Sequence, residues 1–136
     1  MSHYATTPKL QVKGLEELVA ALRHMGLTIE VYPEQPVILF DWHGKQRPER
    51  AHVVIRRRNT GLAASNDIGF LREADGSITA IISDYDSARY NANWLQHLTK
   101  ECGVQRAILR AGRLGHRVTR TTDKQGRPRL EIVGRW

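Results

Sequence analysis

The chain has 136 residues, 40% hydrophobic and 26% charged, which suits one globular domain and excludes global disorder. Its formal net charge is +7, and its single cysteine, Cys102, excludes an internal disulfide and points to a reducing compartment. Met1–Ala5 lacks the basic start and apolar run of a signal peptide, and the longest apolar run, residues 36–40, is far too short for a bilayer, so a cytoplasmic protein with no membrane partner is expected.

Tyr4, Thr6, Leu10 and Val12 alternate loosely around Pro8, which predicts an opening strand at a sheet edge. Gly14 closes it. Leu15, Leu18, Val19, Leu22 and Met25 then carry the stripe of an amphipathic helix. Glu16 and Glu17 suit the positive end of its dipole, Arg23 and His24 the negative end, and Gly26 is placed to cap it. Residues 27–32 alternate until Pro33 and Pro36. Strands are expected over 37–43, 51–58, 67–72 and 77–83, separated by Gly44–Glu49, Asn59–Asn66 and the Ala74-Asp75-Gly76 turn. Such short, closely joined segments predict an antiparallel meander.

Helical spacing returns after Asp84-Tyr85-Asp86-Ser87, with Asp86 or Ser87 as the expected N-cap. Trp94, Leu95, Leu98, Cys102, Val104, Ala107, Ile108 and Ala111 share an apolar side to about Gly112, with a kink or break expected at Gly103. A hairpin closes the chain, His116–Thr122 and Arg127–Val133 around Asp123–Gly126. The fold class expected is α+β: one domain over residues 1–136, a mainly antiparallel sheet with two helices packed on one face. Leu15, Leu18, Leu22, Ile55, Phe70, Ile81, Leu95, Leu98 and Ile108 should meet in its core.

The charge is one-sided. Residues 1–102 hold 12 basic and 12 acidic side chains, whereas residues 103–136 hold nine basic and two acidic. Arg106, Arg110, Arg113 and Arg117, spaced four, three and four apart, would line one face if the helix extends that far. Arg120, Lys124, Arg127 and Arg129 follow on the hairpin. The candidate binding face is therefore Arg106, Arg110, Arg113, Arg117, Arg120, Arg127 and Arg129, suited to phosphates or to an acidic protein surface. No aromatic pair interleaves with these arginines to stack bases.

Other constellations have structural readings. Alternation puts Arg56 and Arg58 on one strand face and Arg57 on the other, with Glu49 and Glu73 as expected cross-strand partners. Asp84 and Asp86 suit turn and cap chemistry, and His97 with Glu101 a surface contact one helical turn apart. None of the six histidines pairs with another at a ligand spacing, and there is no Cys-x-x-Cys, phosphate-binding glycine loop or nucleophile elbow. No catalytic residue, metal or cofactor is expected.

Several short motifs together resemble a known family. They are Met1-Ser2-His3, the Leu-rich helix ending in Gly26, Val53-Val54-Ile55-Arg56, Asp67-Ile68-Gly69-Phe70, Asp84 before a long helix, and a close at Leu130 to Arg135-Trp136. Along nearly the whole chain they look like the hypothetical chloroplast reading frame thirty-five family, a domain of unknown function found in cyanobacteria, plastid genomes and other bacteria. The chain departs from that pattern in its basic character, its longer Asn59–Asn66 turn and its lack of an aromatic-rich segment after Asp84. The resemblance carries no established activity and no catalytic residues. It implies a protein partner, an AAA+ ATPase among the candidates. A non-enzymatic adaptor is therefore the leading expectation, and an RNA- or DNA-binding module the alternative.

Overall fold

The computed structural model describes residues 4–10, 12 and 14–135; the Met1–His3 and Trp136 parts of the family resemblance lie outside them. Five antiparallel strands form the main sheet: β1 (Tyr4–Leu10), β2 (Glu30–Val31), β5 (Val53–Ile55), β6 (Ile68–Arg72) and β7 (Ile78–Ser83), in the order β1-β7-β6-β5-β2. The opening strand lies at an edge, as its Pro8 predicts. Helix α1 (Leu15–His24) ends where expected. Gly26, at φ 85°, lets its own N–H reach the Arg23 carbonyl and the Leu27 N–H reach the Leu22 carbonyl, the paired bonds that close a helix C-terminus.

Helix α2 (Ala92–Arg113) runs through Gly103 without interruption, so the helix is not divided in two there. Its cap is Asn91, whose side chain accepts from the Trp94 N–H at 2.9 Å; Asp86 and Ser87 belong to a separate short 3-10 turn. Both helices pack on one face of the main sheet. There Leu18, Leu22 and Leu98 meet Val53, Ile55, Ile68, Phe70, Ile78 and Ile82, all without exposure, with Leu95 packed at the margin. This is the architecture expected from the sequence, a single α+β domain. Ile81 and Ile108 stand outside that core. Pairing sets Ile78, Ala80 and Ile82 towards the helices, so period-two alternation turns Ile81 to the other side. Ile108 is only half-buried.

The opposite sheet face is covered by a hairpin of β3 (Val37–Phe40) and β4 (Gln46–Ala51), whose Leu39 and Ala51 pack on Val54, with Val37 and Ile81 beside them. Gly44–Glu49 is therefore partly strand, not separator. Among the described residues β4 pairs only with β3, so its other edge is unpaired there and Pro48 is tolerated. From Ala51 the chain passes directly into β5, and His52 makes the crossing with its N–H on the Phe70 carbonyl (3.0 Å) and its Nδ1 accepting from the Arg72 N–H (3.0 Å). The last two strands, β8 (His116–Thr122) and β9 (Pro128–Arg135), form the expected C-terminal hairpin, with β8 laid against α2. No helix among the described residues is long and apolar enough to cross a membrane.

Candidate functional site

Along β8 and β9 the alternation places Val118, Arg120, Leu130 and Ile132 in register on the side facing α2. β8 packs against the helix. Between hairpin and helix runs a groove of about 850 Å3 lined by Val104 and Ala107 of α2 and by Pro128 and Leu130 of β9, together with the exposed His97, Lys100 and Arg127. Further along β9, outside the groove's lining, Ile132 is 65% exposed and neighbouring Val133 52%. Isolated exposed apolar residues are ordinary, but two adjacent ones beside an apolar groove make a surface able to bury a partner.

One end of the groove is closed by an ion pair. Glu101 lies on the buried stripe of α2 between Leu98 and Cys102, and Arg120 grips it with both terminal nitrogens, Nη2 lying 2.7 Å from Oε1. Gln105 donates to the same carboxylate at 2.9 Å. Burial pushes the Glu101 carboxyl up, but these hydrogen bonds and the charges of Arg120 and His24 outweigh it and hold the group below its ordinary range. His97 does not contact Glu101; it stands exposed in the groove's lining.

The structure divides the seven-arginine face. α2 ends at Arg113, so Arg117 stands on β8 instead of continuing the helical row. Arg120 turns inward onto Glu101. Arg113 reaches Glu16 of α1, Arg127 pairs with Asp123 at 2.8 Å and Arg129 with Glu131 at 3.4 Å, all exposed contacts of small energetic weight. Arg106 and Arg110 are exposed, and none of the ion pairs among the described residues uses them. Their row lies on the side of α2 turned away from Val104, so apolar groove and free cations flank one helix.

A second polar constellation lies at the far end of the main sheet, and there two sequence readings are corrected. The strand stops at Ile55, and Arg57–Asn59 forms a 3-10 turn, so Arg57 and Arg58 do not alternate on a strand. Arg56 pairs with Glu30 (2.9 Å) and Asp67 (2.8 Å), not with Glu49 or Glu73. Asp67 also takes the backbone N–H groups of Phe40 and Arg57, both at 2.8 Å, tying the two hairpins together. Asp86 is no surface cap: fully buried, it accepts from Ser65 Oγ at 2.7 Å and Ser83 Oγ at 2.8 Å, while Asp84 stays exposed. Neither Asp67 nor Asp86 sits in a periodic pattern that would mark it as a hub.

Among the described residues no cluster of three or more His, Cys, Asp or Glu side chains is placed to hold a metal. Comparison with protein-family models, curated proteins and solved structures finds no match to this chain.

Proposed function

We propose that the chain is a non-enzymatic binding module of the cytoplasm that docks an acidic, partly apolar segment of another protein between α2 and β9. The observation supporting this reading is the groove walled by Val104, Ala107 and Leu130, with Lys100 and Arg127 in its lining and Ile132 exposed further along β9. Arg106 and Arg110 add positive field close by, and no carboxylate among the described residues pairs with them. An acidic segment would be steered into that field, and its apolar side chains would cover Ile132 on arrival. The family resemblance adds an AAA+ ATPase to the partners to be tested.

A second reading, RNA or DNA held through its phosphates, is favoured by the same two arginines. Against it stands the placing of the aromatic rings on this helix: Trp94 is half-buried at its far end, packed edge-on against Tyr90 at 4.8 Å.

The test is affinity capture on the wild-type chain, Ile132→Asp and Arg106→Ala/Arg110→Ala, each with and without nuclease. An acidic protein held by the wild type after nuclease treatment and lost with Ile132→Asp supports docking. Recovery of nuclease-sensitive material alone, or of the same proteins by Ile132→Asp, overturns it.

A further inference from the structure

The segment from Arg57 to Asp67 is held more firmly than a connection between two strands requires. Asp86 fixes Ser65 and the Asn66 N–H (3.1 Å), Tyr90 Oη donates to the Thr60 carbonyl, and Tyr85 Oη donates to the Ala63 carbonyl. Within this clamp Ala64 takes φ 55°, the one left-handed non-glycine residue among those described. A strained residue persists where its surroundings over-determine it, and such positions cluster at binding sites.

Two guanidinium groups flank the clamped loop. Arg57 is exposed; its Nη1 donates to the Trp42 carbonyl at 3.0 Å, and no ion pair among the described residues engages it. Arg58, its side chain 75% exposed, reaches only to 3.9 Å from Glu30, whose other oxygen already serves Arg56 and Tyr32. Asp67 is fully used by Arg56 and two backbone N–H groups. Two shallow clefts meet at these arginines: one of about 260 Å3 walled by Phe40 and Gly44, the other of about 310 Å3 walled by Leu62, Ala64 and Ser65. Two forked cations beside a rigid loop with a small apolar wall match a phosphate group attached to a compact organic body.

We propose that these clefts form one site for a small phosphomonoester, its phosphate between Arg57 and Arg58 and its organic part against Leu62 and Ala64. The site is separate from the groove between α2 and β9 and does not depend on it.

The experiment is an amide-resolved NMR titration of the full chain with inorganic phosphate, ribose 5-phosphate and ribose at constant ionic strength. Saturable shifts should be confined to Gly44 and the loop from Arg57 to Ser65. Ribose 5-phosphate should bind more tightly than phosphate, and ribose should not bind. Arg57→Ala should weaken binding about tenfold or more, as expected for losing a charge-assisted hydrogen bond. Arg57→Lys, which keeps the charge and guards against a folding artefact, should retain part of it, and Arg106→Ala/Arg110→Ala should change nothing. Shifts spread equally over the C-terminal arginines would overturn the proposal, as would parental affinity in Arg57→Ala. So would affinity for single-stranded oligonucleotides that keeps rising with length, because that would mark a surface tracking a phosphate backbone.

Discussion

Arg120 reaches from β8 to a carboxylate on the buried stripe of α2, so Glu101 and Arg120 join the C-terminal hairpin to the helical layer. A carboxylate there would otherwise be stranded at 8% exposure. Removing the cation leaves Glu101 without its main partner, and Arg120→Ala should cost about 2 kcal/mol in urea unfolding. The cost should depend on pH. Glu101 is held below its ordinary 4.5 in the folded chain, so its contribution is fully present above that value and fades as pH falls through the lower folded one. The gap between wild type and variant should therefore be widest near neutral pH and narrow in acid, because the unpaired, buried carboxyl of the variant takes up its proton before the paired one does. A gap that widened in acid would mean that the pair does not act as described.

The two faces of the main sheet can be probed separately. Leu22→Ala empties a fully buried position under the helices and should cost about 2–5 kcal/mol. On the other face Gly69 leaves no room for a methyl group, since an added Cβ would stand 2.5 Å from Ala51 Cβ and 3.0 Å from Leu39 Cδ1. Gly69→Ala should destabilise by about 1–3 kcal/mol through overpacking, seen in the same denaturation experiment. An unchanged midpoint would argue against the β3–β4 hairpin lying on this face.

Asp86→Asn keeps the side-chain shape and replaces one acceptor with a donor amid the hydroxyls of Ser65 and Ser83 and the Asn66 amide. A loss of about 1–3 kcal/mol is expected, with faster hydrogen exchange concentrated between Thr60 and Asp67. Exchange that rose evenly over the domain would show that the network is not specific to that loop.

Arg106→Ala/Arg110→Ala breaks no ion pair among the described residues and should leave stability within about 0.5 kcal/mol of wild type. Its effect should appear in association: slower capture of an acidic protein partner, with weak RNA binding unchanged. A loss of tight RNA binding at physiological salt, with the salt slope falling by about 2, would favour the nucleic-acid reading instead.

The legible parts of the fold were those with a clean period. Leu15, Leu18 and Leu22 gave α1, Gly26 its end, and the 116–122 and 127–133 segments their hairpin, observed as 116–122 and 128–135, because each repeats one local rule several times. Ile81 was misplaced because alternation determines that neighbours oppose each other but not which of them faces the helices; strand pairing decides that. β4 was hidden by Pro48, which breaks a strand only where its N–H is needed. Of the candidate site, the basic C-terminal region was visible as charge. The pairing of Arg120 was not, although Glu101 between Leu98 and Cys102 on an apolar stripe signals that some cation must reach it. Arg57 and Arg58 were obscured because three consecutive arginines read as a continuing strand, while Asp67 takes the Arg57 N–H and turns the chain.

Cys102 offers a built-in gauge of how often this architecture opens. The thiol is 1% exposed, and burial, together with the charges of Glu17 and Glu101, pushes it up to about 12. Only the thiolate reacts with alkylating or disulfide reagents, so at neutral pH the native chain should be inert to them. Modification then requires α2 to leave the sheet first. With no second cysteine to complicate the signal, the labelling rate reads out the population of the separated helix directly, without an engineered probe.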